Sequence, residues 1–235
     1  MQEGAHQMMG YDRASTMFSP DGRLLQVEYA KEAVKQGSTA IGAVCKDGVV
    51  LIADKRVADR LVVPDSVKKI AQVDHHIGAT ATGYVMDGRV LIERAQLLAQ
   101  QHQVTYAVPI ETRTLVKEIA DIKQSYTQYG GARPFGVSLL FVGVDEDGPS
   151  IFVTEPTGTL FEYLATAVGE GSPAAKEILR KEYNPEMSME EGIKLCVKAL
   201  KRVLGKEFDS KRLDGAVIDV KTKTYKEIDR KKLKA

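Results

Sequence analysis

The sequence predicts an α+β fold, a four-layer sandwich of two antiparallel sheets flanked by helices, with an extra helix at the N-terminus. Three observations predict it. Groups of short, apolar, partly β-branched runs alternate with pairs of helical periodicities. The runs within each group are joined by hairpin-type turns, Asp47-Gly48, Asp147-Gly148 and Thr157-Gly158, where a doubly wound parallel sheet would need single-helix crossovers. The strand pattern of the first half also recurs in the second, so two sheets and two helical layers use every apolar face.

The elements follow in order. Leu24, Val27, Ala30 and Val34 recur at helical spacing behind the turn and capping residues Ser19-Pro20-Asp21-Gly22, which predicts a helix from about 23 to 36. Apolar runs at 39–45 and 49–53, separated by Lys46-Asp47-Gly48, predict a paired hairpin, and a further strand is expected at 76–81. Leu91, Ala95 and Leu98 mark one long helix. Leu115, Ile119, Ile122 and Tyr126 mark a second, with Pro109 just ahead of it. Strands over 137–144, 150–154 and 159–163 form the second meander. A short helix starts after Ser172-Pro173, where proline suits the first turn, and Ile193, Val197, Leu200 and Leu204 give another. Late strands at 216–220 and 225–228 close the pattern.

A chain of 235 residues with no Pro, Gly or Ser-rich linker is expected to be one domain. Its 33 basic and 32 acidic residues nearly cancel, so no global field attracts nucleic acid or an anionic membrane. Cys45 and Cys196 sit far apart in apolar runs, which reads as two buried thiols in a reducing, cytoplasmic setting. No apolar run approaches the roughly 20 residues of a membrane span, and the N-terminus is polar where a signal peptide is apolar. His6, His75, His76 and His102 show no metal-ligand spacing, so no metal is expected, and His75-His76 reads as the lead-in to a strand. Gly169-Glu170-Gly171-Ser172-Pro173-Ala174 superficially fits a phosphate loop, but no βαβ unit surrounds it and Pro173 removes an amide, so it reads as a strand-to-helix turn. The basic finish over 230–234 is assigned no partner.

Three stretches carry more than pattern. They are Phe18-Ser19-Pro20-Asp21-Gly22-Arg23-Leu24-Leu25-Gln26-Val27-Glu28-Tyr29-Ala30 with the following Gly37-Ser38-Thr39-Ala40-Ile41-Gly42, the upstream Tyr11-Asp12-Arg13, and Tyr126-Thr127-Gln128-Tyr129-Gly130-Gly131-Ala132-Arg133-Pro134-Phe135-Gly136-Val137-Ser138. Together they make nearly the whole chain resemble the α subunits of archaeal proteasomes. That resemblance implies the αββα fold of the N-terminal-nucleophile hydrolases without their catalysis. Catalytic relatives use an N-terminal Thr, Ser or Cys activated by its own α-amino group, with an acidic residue and a lysine nearby. Here the matching strand begins at Ser38-Thr39 behind 37 residues, so both nitrogens are peptide nitrogens. Asp54 falls near the acidic partner and Lys68 and Lys69 near the lysine. The alternative is therefore cleavage at Gly37-Ser38 to give an active hydrolase with Ser38 as nucleophile. Against it, the upstream segment is the part that resembles the α subunits' own extension.

As an α subunit the chain is expected to have no catalytic residue and no cofactor. Residues 1–18 would form a gating tail, 19–36 the N-terminal helix and 37–235 the sandwich. The partners implied are six further copies in a heptameric ring, proteasome β subunits with threonine-type activity, a regulatory ATPase of the proteasome-activating type, and unfolded protein substrates. The gate would use Tyr11, Asp12, Arg13, Pro20 and Tyr29. A pocket between neighbouring copies would receive the ATPase's C-terminal tails, with Lys69 for the terminal carboxylate and Gly22, Arg23, Leu24, Glu28 and Gly37 as walls. Tyr129, Gly130, Gly131 and Arg133 match the loop that narrows the substrate channel. Two residues depart from the family pattern, Tyr84, where small or aliphatic residues are usual, and Gly88, where alanine is usual. A glycine inside a helix costs about 0.5–1 kcal/mol relative to alanine.

Overall fold

The computed structural model describes residues 10, 13–56, 61–63 and 66–233. The elements run α1 (Leu25–Lys35), β1 (Ala40–Cys45), β2 (Gly48–Asp54), β3 (Ile70–Asp74), β4 (Ile77–Gly83), α2 (Val85–Tyr106), α3 (Thr112–Tyr126), β5 (Val137–Asp145), β6 (Gly148–Thr154), β7 (Leu160–Glu162), β8 (Ala165–Val168), α4 (Ser172–Glu182), α5 (Met189–Leu204), β9 (Leu213–Asp219) and β10 (Tyr225–Glu227). One sheet has the order β10-β9-β2-β1-β8 and the other β3-β4-β5-β6-β7. Every pairing is antiparallel.

The two-residue period of the strands sorts their side chains into separate layers. In β2, Val49, Leu51 and Ala53 face the other sheet, whereas Val50 and Ile52 face α4 and α5. In β5, Leu140, Val142 and Val144 meet the first sheet, and Val137, Leu139 and Phe141 pack under α2 and α3. Three apolar interfaces therefore separate four layers, helix, sheet, sheet and helix, as the alternation of strand groups and helix pairs predicts. Cys45 and Cys196 are free, buried thiols in the interface beneath α5. Burial pushes the Cys45 thiol up to about 12, so it is inert as a thiolate at neutral pH.

Four details differ from the sequence reading. β3 and β8 were not foreseen. β8, Ala165-Thr166-Ala167-Val168, lacks the composition of a strand, and its pairing with β1 makes it one. β3 carries Gln72 and Asp74 and slips register between them, which hides its period. α1 begins at Leu25 and not near Arg23, because the turn ahead of it closes on itself. Gly22 N donates to Ser19 O at 2.8 Å and Arg23 N donates to the Ser19 hydroxyl at 3.2 Å, so that hydroxyl serves the turn, and Leu24 at the N-cap has no side-chain bond to give. Finally, Gly48 is the first residue of β2, opposite Cys45, not a turn residue. Its glycine is required by proximity, since a Cβ there would sit 2.3 Å from the Ile218 carbonyl oxygen.

Gly88 has the same kind of reason. A Cβ on it would lie 2.5 Å from the Cβ of Ala81 in β4, so α2 approaches the sheet closely because Gly88 is small. Gly88→Ala is therefore expected to lower stability by about 1–3 kcal/mol through overpacking, despite alanine's better helix propensity. Thermal unfolding checks this, and an unchanged or raised midpoint would show that the helix shifts freely.

Candidate functional site

α1 is held at one end of the second sheet by three glycines. A Cβ on Gly37 would be 2.4 Å from Gly83 N, and a Cβ on Gly83 would be 2.2 Å from Gly136 O, so three backbone segments stack with no room for side chains. Gly83 also needs its φ of +122°. Beside this stack opens a cleft of about 680 Å³ whose walls come from Gly37 and Ser38, the end of β2 at Lys55 and Arg56, the residues leading into β3 up to Lys69, and the first turns of α2.

Lys69 is one of five basic residues lining this cleft, with Lys55, Arg56, Lys68 and Arg89. Its backbone is fixed on both sides, Lys69 N donating to Asp214 Oδ2 at 2.9 Å and its carbonyl accepting from Thr80 Oγ1 at 2.8 Å. Its ammonium donates to the Ala81 carbonyl at 2.6 Å. Burial lowers its pKa to about 8. The Arg56 charge acts in the same direction and that of Asp54 opposes it. Lys68, its sequence neighbour, points outward to Glu227 at 2.9 Å. Beneath the cleft Lys55 pairs with Asp214 Oδ1 at 3.0 Å, and Arg56 bridges the Gln36 carbonyl and the carboxylate of Glu170.

Of the wall residues expected around Lys69, only Gly37 lines this cleft. Gly22, Arg23, Leu24 and Glu28 lie at the other end of α1, which at 11 residues is about 16 Å long. There Glu28 pairs with Arg23 at 3.7 Å and with Lys31 at 3.2 Å.

The loop expected to narrow a channel follows α3. Tyr129 is exposed, Gly130 is open, and Gly131 takes a φ of +83°. Arg133 anchors it, its guanidinium forking onto the buried Asp87 carboxylate at 2.6 and 2.7 Å, and Gly136 N adds a third donor to Asp87 at 2.8 Å. Burial alone would raise the Asp87 pKa, but these hydrogen bonds and the Arg133 charge together carry it below the usual carboxylate range. The Tyr84 ring lies against Gly136, 5.7 Å from the Arg133 guanidinium. Asp87 is a site residue that the sequence reading did not find. Its only local signal is an acidic residue in the first turn of a helix.

Among the residues expected to form a gate, Tyr11 and Asp12 lie outside the described residues. Arg13 is exposed, with its amide on Gly10 O at 3.1 Å, Pro20 is exposed in the turn, and Tyr29 is 42 % exposed on α1. The Ser15 hydroxyl stands 3.5 Å from the Tyr129 carbonyl, so Ser15 lies beside the loop that follows α3.

Two residues of the stretch that resembles a catalytic set are engaged with other groups. Asp54 is held by Arg212 at 2.6 and 2.8 Å, and Thr39 Oγ1 accepts from Gly171 N at 2.9 Å. The carbonyls of Gly37 and Ser38 accept from Glu170 N at 2.9 Å and Thr82 Oγ1 at 3.2 Å, so the peptide that cleavage would open is tied down on both sides.

Two family models match the sequence. One, described as a proteasome subunit, covers residues 34–218, and the other, described as the N-terminal signature of A-type proteasome subunits, covers residues 11–33. Three similar proteins each carry the name of a proteasome alpha subunit. That of Thermococcus sibiricus is 51% identical over 93% of this chain and 84% of its own length. That of Archaeoglobus fulgidus is 50% identical over 96% and 92%, and that of Methanocaldococcus jannaschii 49% over 95% and 85%.

Proposed function

The chain belongs to the proteasome α-subunit family, as a non-catalytic subunit of a proteasome core, and from that premise we propose how it assembles and what it controls. Seven copies close into a ring, stack on β subunits that carry the threonine-type proteolysis, and admit unfolded chains through an axial gate opened by ATPase tails. The observation that carries this reading is Lys69, a cation lining a cleft whose ammonium, among the described residues, bonds only the Ala81 carbonyl. It suits the carboxylate at the end of an incoming chain.

Head-to-tail assembly accounts for the walls that this cleft lacks. A heterologous contact joins one surface to a different surface on the next copy, and a ring is its closed form. The start of α1, with Gly22, Arg23, Leu24 and Glu28, is the surface a neighbouring copy offers to the Lys69 cleft. The apolar residues left exposed along α2, among them Val85, Met86, Val90 and Leu97, extend that contact. Tyr11, Asp12, Arg13, Pro20 and Tyr29 serve the gate, and Tyr129, Gly130, Gly131 and Arg133 the channel mouth below it. No observation favours the processed hydrolase. Mass spectrometry of the mature protein should find residues ahead of Ser38 retained, and a chain starting at Ser38 would restore that alternative.

Electron microscopy of the chain expressed alone tests the assembly. Class averages with sevenfold rings and a central pore are expected, and monomers or dimers would refute ring closure. The docking role is tested on the assembled ring with a peptide ending in a hydrophobic residue, tyrosine and one further residue. Lys69→Ala is expected to weaken its binding at least thirtyfold, on the order of 2 kcal/mol or more, as for loss of one partner of a buried charge pair. With a pKa of about 8, free Lys69 loses its proton above that pH, so affinity is expected to fall by up to about tenfold per pH unit beyond it. Affinity unchanged in Lys69→Ala, or flat between pH 7 and pH 10, would place the carboxylate elsewhere.

A further inference from the structure

Far from the Lys69 cleft, at the opposite end of β4, the hairpin turn between β3 and β4 gathers Asp74, His75 and His76, with one ligand atom of each within 4.8 Å of the others. His76 is almost wholly buried, and its Nε2 is 2.9 Å from the Ile110 carbonyl oxygen. A carbonyl only accepts, so Nε2, which also lies 3.5 Å from Asp145 Oδ1, holds the proton, and in the neutral imidazole Nδ1 presents a lone pair. That Nδ1 is buried without a hydrogen-bond partner, and it faces Asp74 Oδ2 at 3.6 Å. Two acceptors aimed at one another call for a cation between them. The spacing is long for a charge-assisted hydrogen bond, which is about 2.7–2.9 Å. It suits a shared metal ion, because two atoms each about 2.0–2.1 Å from a tetrahedral ion are roughly 3.3 Å apart. The second edge of the cluster, His75 Nδ1 to Asp74 Oδ1, is 3.0 Å.

We propose that Asp74, His75 and His76 form a binding site for a divalent first-row metal ion of the zinc type, with Ile110 as the outer partner that fixes the His76 tautomer. Two imidazoles and one carboxylate are the donor set of such ions, and hard cations such as magnesium prefer oxygen. A backbone carbonyl on the far nitrogen of a ligating imidazole orients the ring and raises its basicity. A cavity of about 290 Å³, lined by both histidines, Pro109, Asp145 and Lys223, opens beside the two imidazoles. Bound metal ties the turn together where it supports a second strand, since Tyr225 N at the start of β10 donates to the His75 carbonyl at 2.6 Å. The three ligands are consecutive in sequence, so a search for spaced ligand motifs passes over them.

The test uses the full-length chain without an affinity tag, stripped with a chelator and titrated with cobalt(II). One cobalt per chain with visible ligand-field absorption of tetrahedral strength, displaced by zinc, is expected. His75, whose side chain is 54 % exposed, is the position to vary because its loss leaves the core intact. His75→Ala and Asp74→Asn should each weaken cobalt binding by at least about tenfold, with His6→Ala and His102→Ala without effect. Zinc should raise the melting temperature of the wild-type chain and not that of His75→Ala. Absence of the absorption in the wild-type chain, or equal affinity in the wild-type and His75→Ala chains, would overturn the assignment.

Discussion

Replacing Arg212 by methionine is expected to destabilise the folded chain by about 3–5 kcal/mol, the cost of leaving one member of a buried ion pair without the other. Asp54 ends β2 with its side chain fully buried, and the Arg212 fork supplies two of its hydrogen bonds, at 2.6 and 2.8 Å. The Arg56 amide, at 3.2 Å, remains in the variant but carries no net charge. For a domain of this size the loss corresponds to a fall in melting temperature of roughly 6–20 °C. Protein concentration must be held constant, because assembly adds its own stabilisation to the midpoint. Arg212→Lys should lie between, since an ammonium keeps the charge but not the two-pronged geometry. Asp54→Leu/Arg212→Met should recover most of the loss, because neither charge is then stranded. A single variant within 1 kcal/mol of the parent would mean that Asp54 draws its support from somewhere else.

That pair also shows where the sequence stops being readable. Asp54 and Arg212 are 158 residues apart, and no local pattern links them. The hairpins were legible because Lys46-Asp47 and Glu146-Asp147 separate runs whose two faces are both apolar. α3 and α5 were legible because their apolar stripes are clean, and Ser188 with Glu191 closes a reciprocal cap ahead of α5. β8 was not, since two alanines and a threonine become a strand only beside an open edge of β1. The site divides in the same way. Lys68 and Lys69 are equivalent as letters, yet consecutive residues entering a strand point to opposite sides, so one ammonium bonds Glu227 and the other the Ala81 carbonyl. Family resemblance chose between them, and what the fold adds is that the Lys69 backbone is bonded on both sides, to Asp214 and to Thr80. The Asp74-His75-His76 cluster is the reverse case. Its residues are adjacent, but the lone pair that gives it meaning depends on Ile110, 34 residues away from His76.

Lys123→Met is expected to stabilise the protein, by about 1–4 kcal/mol near pH 6 and by progressively less above pH 7. Lys123 lies fully buried between α3 and β6, where its ammonium donates to Thr154 O at 2.9 Å and Thr154 Oγ1 at 3.0 Å. Both are neutral acceptors, and burial pulls its pKa down to about 7, with only the more distant Glu155 charge acting against the fall. The sign follows from proton counting. Below about pH 7 the lysine is protonated folded and unfolded alike, and the folded chain carries the whole penalty of an unpaired buried charge. Between about pH 7 and the unfolded value near 10.4, the folded chain releases a proton that the unfolded chain keeps, so stability climbs with pH. Methionine has a similar length, fills the same space without a charge and removes that slope. The two hydrogen bonds lost to Thr154 offset part of the gain, about 1 kcal/mol each. Denaturant unfolding at pH 6 and pH 9 decides the matter. The parent chain should gain stability between the two while Lys123→Met gains less, and parallel changes in both chains would show that Lys123 does not titrate in the fold.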